Sequence, residues 1–378
     1  MTFLDIAQFQ NSRHDWRESL ENTGTFWQRN QQLLAPVQCG ATFIPEAYNL
    51  ENGPSRALAA LDFIINTLGM RTLRFGMRWN TLQPKKDIFE FEVYRPLLQY
   101  CFDNGVSITL AAGPIKSPGW PEQFVPDWVL SELSSIPAKN TVVEVNSELS
   151  HRAHAWISRL TLYISREFSL SELTNITTIQ IENELANPFG KWCWVMSDEF
   201  ALSIVDTIDL YLPGRKILYN SAGRFNLRQL TTLILKHKNP RRCILGLDYY
   251  YTNDSTIKHP FHQYFNGNTI GLPWHAMIAQ TQLISQKYGF ALEVTEAQME
   301  PWGRSQAPGN SIQSLQYIIL QSRRFLQICD PWKLYIGLWG IDRFANIFLD
   351  GTQTSQHIMM KNTIAQINGL CVDQPNLQ

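Results

Sequence analysis

Thr178 to Asn187 reads TIQIENELAN, a short apolar strand that runs into an amide and a carboxylate, Asn183 and Glu184, at the point where the strand must end. The pattern returns later in the chain. Phe290 to Glu296 reads FALEVTE, again a strand that closes on a carboxylate. Two carboxyl groups carried on the ends of two strands of one barrel are the minimum equipment for cleaving a glycosidic bond. Burying a carboxylate without a partner is costly, so Glu182, Asn183 and Glu184 together at the end of an apolar run point to a built site. The competing reading makes Glu182 and Glu184 solvated loop charges.

Near the second carboxylate three residues compete: Glu293, Glu296 and Glu300. Strand side chains alternate, so Glu293 and Glu296 are expected in opposite phase, and Glu296 is the one that the strand itself brings to its C-terminal end. Glu300 falls in the following loop, where it is either a solvated charge or the true partner of Glu184.

The elements that must position these groups can be counted. Short β-rich runs lie at Val37–Phe43, Thr72–Gly76, Ser107–Ala112, Ile176–Glu182, Lys216–Asn220, Cys243–Tyr249, Ala291–Glu296 and Leu334–Trp339. Amphipathic segments near 55–68, 92–104, 149–168, 196–212, 226–237, 275–287, 311–328 and 355–369 follow them in turn. Eight strand–helix units without a GxGxxG turn predict an α/β fold, a single (β/α)8 TIM barrel, over an open doubly wound sheet. Residues 1–36 are expected as an N-terminal extension packed on the barrel, and 37–378 as the barrel itself. The longest irregular stretch, from Gly113 to about Asn146, follows the third strand and so belongs to the functional face.

Composition is compatible with this scheme and excludes others. The 32 basic and 33 acidic residues give a net charge of −1, which argues against nucleic acid or an anionic membrane as partner. No run approaches the roughly 18 apolar residues of a membrane span, and the first residues lack the basic-then-apolar order of a signal peptide. The six cysteines are scattered without a CxxC pair and read as free thiols in a reducing compartment, hence a cytoplasmic protein. HExxH, phosphate-loop and GxSxG motifs are absent, and no metal or cofactor is expected. His151 and His154, three apart on a predicted helix, read as a solvated face rather than as metal ligands. Trp120, Trp128, Trp192, Trp194, Trp274 and Trp302 follow strand ends or lie in loops, where each is either a stacking platform for a sugar or a rim anchor; Trp302 is the favoured platform.

These residues together resemble the large clan of retaining TIM-barrel glycoside hydrolases that includes β-galactosidases, cellulases, mannanases and β-glucosidases. The resemblance covers about 37 to 345. The clan places Asn-Glu after strand four and Glu at the end of strand seven, matched here by Asn183-Glu184 and Glu296. It implies Glu184 as acid/base and Glu296 as nucleophile. The second strand, TLRFGMRWNTLQPKKDIFEFE, is similar to the clan's Arg-bearing strand, which implies Arg74 beside the nucleophile and Trp79 near the mouth. ILGLDYYYT looks like the strand whose Tyr hydrogen-bonds the nucleophile, with Tyr250 preferred to Tyr249 and Tyr251. LYIGLWGIDRF carries Trp339 where the clan sets a Trp under the sugar. One departure is that strand three ends in Ala111-Ala112-Gly113-Pro114, where many members carry His.

The resemblance implies a carbohydrate substrate, a β-linked bond and a double displacement. A retaining mechanism needs one carboxyl protonated and one ionised, and a separation of roughly 5–5.5 Å between them. Arg74 would favour the ionised form of Glu296 by its opposite charge. Asn183 would donate to the sugar 2-hydroxyl. The rival expectation is a catalytically silent barrel that binds carbohydrate or serves as a scaffold.

Overall fold

The computed structural model describes residues 37–119, 123–222, 224–249, 280–281, 283–298 and 334–370. Eight parallel strands close into a barrel: β1 (Val37–Phe43), β2 (Thr72–Gly76), β3 (Ser107–Ala111), β4 (Ile176–Gln180), β5 (Lys216–Ala222), β6 (Cys243–Tyr249), β7 (Ala291–Gln298) and β8 (Leu334–Trp339). Each strand pairs with its sequence neighbours, and β1 pairs with β8 to complete the ring, with Val37 opposite Leu334. The expected α/β barrel is therefore present, with all eight predicted strands in place. The expected N-terminal extension, 1–36, and the predicted helix at 311–328 lie outside the described residues.

The strands form because they are apolar runs with both faces covered, as parallel barrel strands require. Leu73 and Phe75 on β2, Ile108 and Leu110 on β3, and Ile176 and Ile179 on β4 are fully buried. The longest helix among the described residues, α1 (Glu148–Glu167), shows how the outer layer is specified. Leu149, Ala153, Trp156, Leu160 and Ile164 recur at helical spacing and are its buried face. Ser147 caps its N-terminus by accepting from the Ser150 backbone N–H at 3.2 Å. His154, on the same helix, bonds Thr207 and Ser203 of the helix Asp198–Asp209 at 2.8 and 3.0 Å, so it ties two helices together.

Register irregularities carry more meaning for the site than the regular pairs. Leu247 of β6 is opposite Val294 of β7, but Asp248 is opposite Glu296, so β7 holds one extra residue there. Its other neighbour sees the same insertion, since Ile336 is opposite Val294 and Leu338 is opposite Ala297. A β-bulge re-aims side chains locally, and consecutive residues on either side of it can reach the same face.

Candidate active site

Glu184 lies just past the end of β4, buried to 4% exposure, with a left-handed φ of 43° that is uncommon for a non-glycine residue. Several bonds hold this conformation. The Glu184 backbone N–H donates to Asn220 Oδ1 at 2.9 Å, and Lys116 Nζ donates to the carbonyl oxygens of Glu184 and Asn187, each at 2.7 Å. Lys116 is itself buried, so its ammonium fastens the turn rather than reaching solvent.

Glu182, two residues earlier, has a different task. Its carboxylate accepts from the backbone N–H groups of Ile115 at 3.2 Å, Lys116 at 2.6 Å and Asn183 at 3.0 Å. Burial pushes this carboxyl up to about 8, against the Lys116 charge and these three donors. It is fully buried, which rules out a solvated loop charge, and it ties the loop after β3 to the end of β4. Gly113 makes this possible: a Cβ there would sit 2.0 Å from Lys116 O and 2.7 Å from Glu182 Oε1.

Glu296, on β7 and 3% exposed, forms an ion pair with Arg74 of β2, which is equally buried. The Arg74 guanidinium lies 5.9 Å from the Trp339 ring centroid, and Trp339 ends β8 half-buried. Glu184 and Glu296 face one another: one oxygen of each, together with one from Asp248, lie within 4.8 Å of each other. Asn183, at 4% exposure, stands beside them, its Oδ1 accepting from Gln180 Nε2 at 3.2 Å. Thus Glu184, Glu296, Arg74, Asn183 and Trp339 share one end of the barrel. Tyr250, Trp302 and Glu300 lie outside the described residues.

Trp79 requires a correction. It was expected near the mouth, but it is only 1% exposed and stacks on Trp156 of α1 at 5.8 Å, with its Nε1 donating to Gln83 Oε1 at 2.9 Å. Its large ring finds an aromatic column (Trp79, Trp156, Phe91, Tyr163) between barrel and helix, and an apolar column outcompetes a wet rim for an indole. Glu293, by contrast, belongs to the strand and not to the site, and burial pushes it up to about 7.

Sequence reasoning missed Asp248, Asn220, Gln180 and Lys116. Asp248 is buried on β6, with Thr295 Oγ1 donating to it at 2.6 Å and Asn220 Nδ2 at 2.8 Å. Asn220, at the C-terminal end of β5, also accepts from Gln180 Nε2 at 2.7 Å. A signal existed: an Asp within ILGLDYY and an Asn within KILYNSA each interrupt an apolar strand near its C-terminal end. The bulge in β7, which lets Thr295 and Glu296 both serve this cluster, has no signature in the sequence.

The fold has solved counterparts. An intracellular xylanase from Thermoanaerobacterium saccharolyticum, in complex with xylotriose, is 16% identical with a TM-score of 0.53, over 81% of this chain and 86% of its own. A β-galactosidase from the psychrophilic Marinomonas ef1 is 12% identical with a TM-score of 0.55, over 87% of this chain and 59% of its own. An exo-β-1,4-mannosidase from an Opitutaceae bacterium is 17% identical with a TM-score of 0.51, over 80% of this chain and 52% of its own. At such identities the likeness establishes the barrel fold. Neither a family profile nor a curated protein matches the sequence.

Proposed function

We propose that this chain is a retaining O-glycosidase for a β-linked sugar and a member of the clan of TIM-barrel glycoside hydrolases it resembles. The observation that carries this reading is the pair of buried carboxyls, Glu184 and Glu296, with oxygens within 4.8 Å across the barrel mouth and Arg74 on Glu296. Retaining enzymes hold their carboxyls about 5–5.5 Å apart, whereas inverting ones need roughly 6.5–9.5 Å to admit a water. The short separation supports double displacement.

In that reaction Glu296 attacks the anomeric carbon while Glu184 gives its proton to the departing glycosidic oxygen. A glycosyl ester forms on Glu296. Water then attacks the same carbon, losing its proton to Glu184, and the Glu296 carboxylate is released. Arg74 orients Glu296 and balances its charge, Asn183 donates to the sugar 2-hydroxyl, and Trp339 offers its exposed part as a platform. The solved neighbours act on xylan, mannoside and galactoside by their names, so the reading extends to a glycoside without choosing among these. Among the described residues no helix is long and apolar enough to cross a membrane. Cys39, Cys101, Cys193 and Cys243 are free thiols, which supports a reducing compartment.

The test is turnover of an aryl β-glycoside panel, with mass spectrometry for a covalent adduct after reaction with 2-fluoro glycosides. Turnover with an adduct on Glu296 supports the proposal. No turnover and no adduct across the panel favours a silent carbohydrate-binding barrel.

A further inference from the structure

A two-carboxyl mechanism needs two carboxyls, and the barrel mouth buries three. Glu184, Asp248 and Glu296 each present an oxygen within 4.8 Å of the others, at 4%, 6% and 3% exposure. Arg74 pairs with Glu296. Asp248 is held at both oxygens, Oδ1 by the Thr295 hydroxyl at 2.6 Å and Oδ2 by Asn220 Nδ2 at 2.8 Å. The Asn220 amide has a fixed orientation, because its Oδ1 accepts from the Glu184 backbone N–H and from Gln180 Nε2. Its nitrogen therefore faces Asp248, and a nitrogen of this kind can only donate. Glu184 and Asp248 bring one oxygen each within 4.8 Å of the other, and hydrogen bonding from the Glu184 side chain is among the influences that lower Asp248. Two ionised carboxylates have no hydrogen to share, so this bond requires a proton between them. With Asp248 set up as an acceptor, the proton belongs on Glu184.

Resting on the glycosidase reading, we propose that Asp248 is the proton partner of Glu184, a positioning residue that keeps it protonated and aimed before bond cleavage and makes it a stronger base afterwards. The charges balance through the cycle. At rest, the Glu184–Asp248 pair holds one proton and one negative charge, and Glu296 is balanced by Arg74. When the ester forms, Glu296 loses its charge as the Glu184 proton leaves with the alcohol. Glu184 and Asp248 are then both ionised, facing Arg74 and no longer facing a Glu296 anion. The attacking water returns a proton to the pair, and the ester C–O bond breaks to restore the Glu296 carboxylate.

The surrounding groups agree with this arrangement. Burial and then the Glu296 charge push Asp248 well above the usual carboxylate range, opposed by Arg74 and by the bonds from Thr295 and Glu184. Two carboxyls this close titrate as a unit. Glu182 and Lys116 also stand near Glu184, but Lys116 Nζ is directed at main-chain carbonyls and Glu182 at backbone N–H groups. The bulge in β7 serves the same end, since it brings Thr295 to Asp248 while leaving Glu296 opposite it.

The test is Asp248→Asn in the full chain, with Asp248→Ser alongside in case the amide disturbs folding; thermal melts report on folding in both. Removing the neighbouring negative charge should lower the alkaline limb of the kcat/KM profile by about one pH unit or more. With a dinitrophenyl glycoside, whose leaving group needs no proton, glycosyl-enzyme should accumulate and kcat should fall about 10- to 100-fold. Carboxyl 13C NMR of Glu-labelled protein should show the Glu184 midpoint falling by a similar amount. An alkaline limb and a Glu184 midpoint unchanged in both variants, with kcat falling only as melting temperature falls, would overturn the proposal. Failure of the wild-type chain on every glycoside would sink the glycosidase reading, while the NMR midpoint still decides whether Asp248 governs the Glu184 proton.

Discussion

Glu184 and Glu296 are both Glu, both almost fully buried and both at one barrel mouth, so what separates them is the neighbour each has. Glu296 has the Arg74 guanidinium, whereas Glu184 has the Asp248 carboxyl, the Asn220 side chain and the Lys116 clamp on its main chain. Different neighbours can give identical groups different roles, and stereochemistry tests the roles proposed for these two. Glu296→Ala should lose turnover of all substrates, and added azide should give the inverted product by entering the vacated side. Glu184→Ala should lose about 10²- to 10⁴-fold on poor leaving groups and far less on dinitrophenyl glycosides. Azide should then restore turnover with retention, because a small anion attacks the ester without a general base. Product anomers seen by NMR check both; the reverse pattern would exchange the two roles.

At the scale of elements, the site depends on close approach between strands. A Cβ at Gly246 of β6 would lie 2.5 Å from Thr295 Oγ1 and 2.9 Å from Asn220 Cβ, and these are the two residues that hold Asp248. Gly246→Ala should therefore cost about 1–3 kcal/mol of stability by overpacking and also displace Asp248. Denaturant melts and the pH profile of kcat/KM test this, and a variant with unchanged values of both would show that the strands accommodate a methyl group there. Trp79 makes the opposite case. Trp79→Ala should cost about 3–5 kcal/mol through loss of the stack on Trp156, with KM nearly unchanged in the protein that remains folded. A large rise in KM without loss of stability would return Trp79 to the substrate site.

For the molecule as a whole, stability is expected to depend on pH through a group that takes no part in the chemistry. Glu293 lies on β7 with its carboxyl raised from 4.5 to about 7, chiefly by burial and opposed by Lys216. An acid whose folded value exceeds its unfolded value binds its proton more tightly in the native state, so stability falls as pH rises between those two values. The wild-type chain should lose on the order of 1–2 kcal/mol between about pH 4.5 and 7 that Glu293→Gln does not lose. Urea denaturation at both pH values measures the difference, and parallel behaviour of the two proteins would remove Glu293 as its source.

The sequence by itself determined the barrel and singled out two of its strand ends as the candidate site. Eight apolar runs spaced by amphipathic segments admit few other folds, and a carboxylate ending an apolar strand is visible because burying it costs so much. Arg74 was named from the resemblance of TLRFGMRW to the clan's Arg-bearing second strand. What only tertiary structure decided was which polar groups converge. Asp248, Asn220 and Thr295 lie on three different strands, and their meeting rests on register and on one extra residue in β7. Periodicity fixes the face of a side chain only while the ladder is regular, and a bulge changes that face without changing the local pattern of residues. Trp79 shows the complementary limit. An indole beside a mouth and an indole beneath a helix have the same local sequence, and the choice was made by Trp156 and Phe91, which come from other elements of the fold.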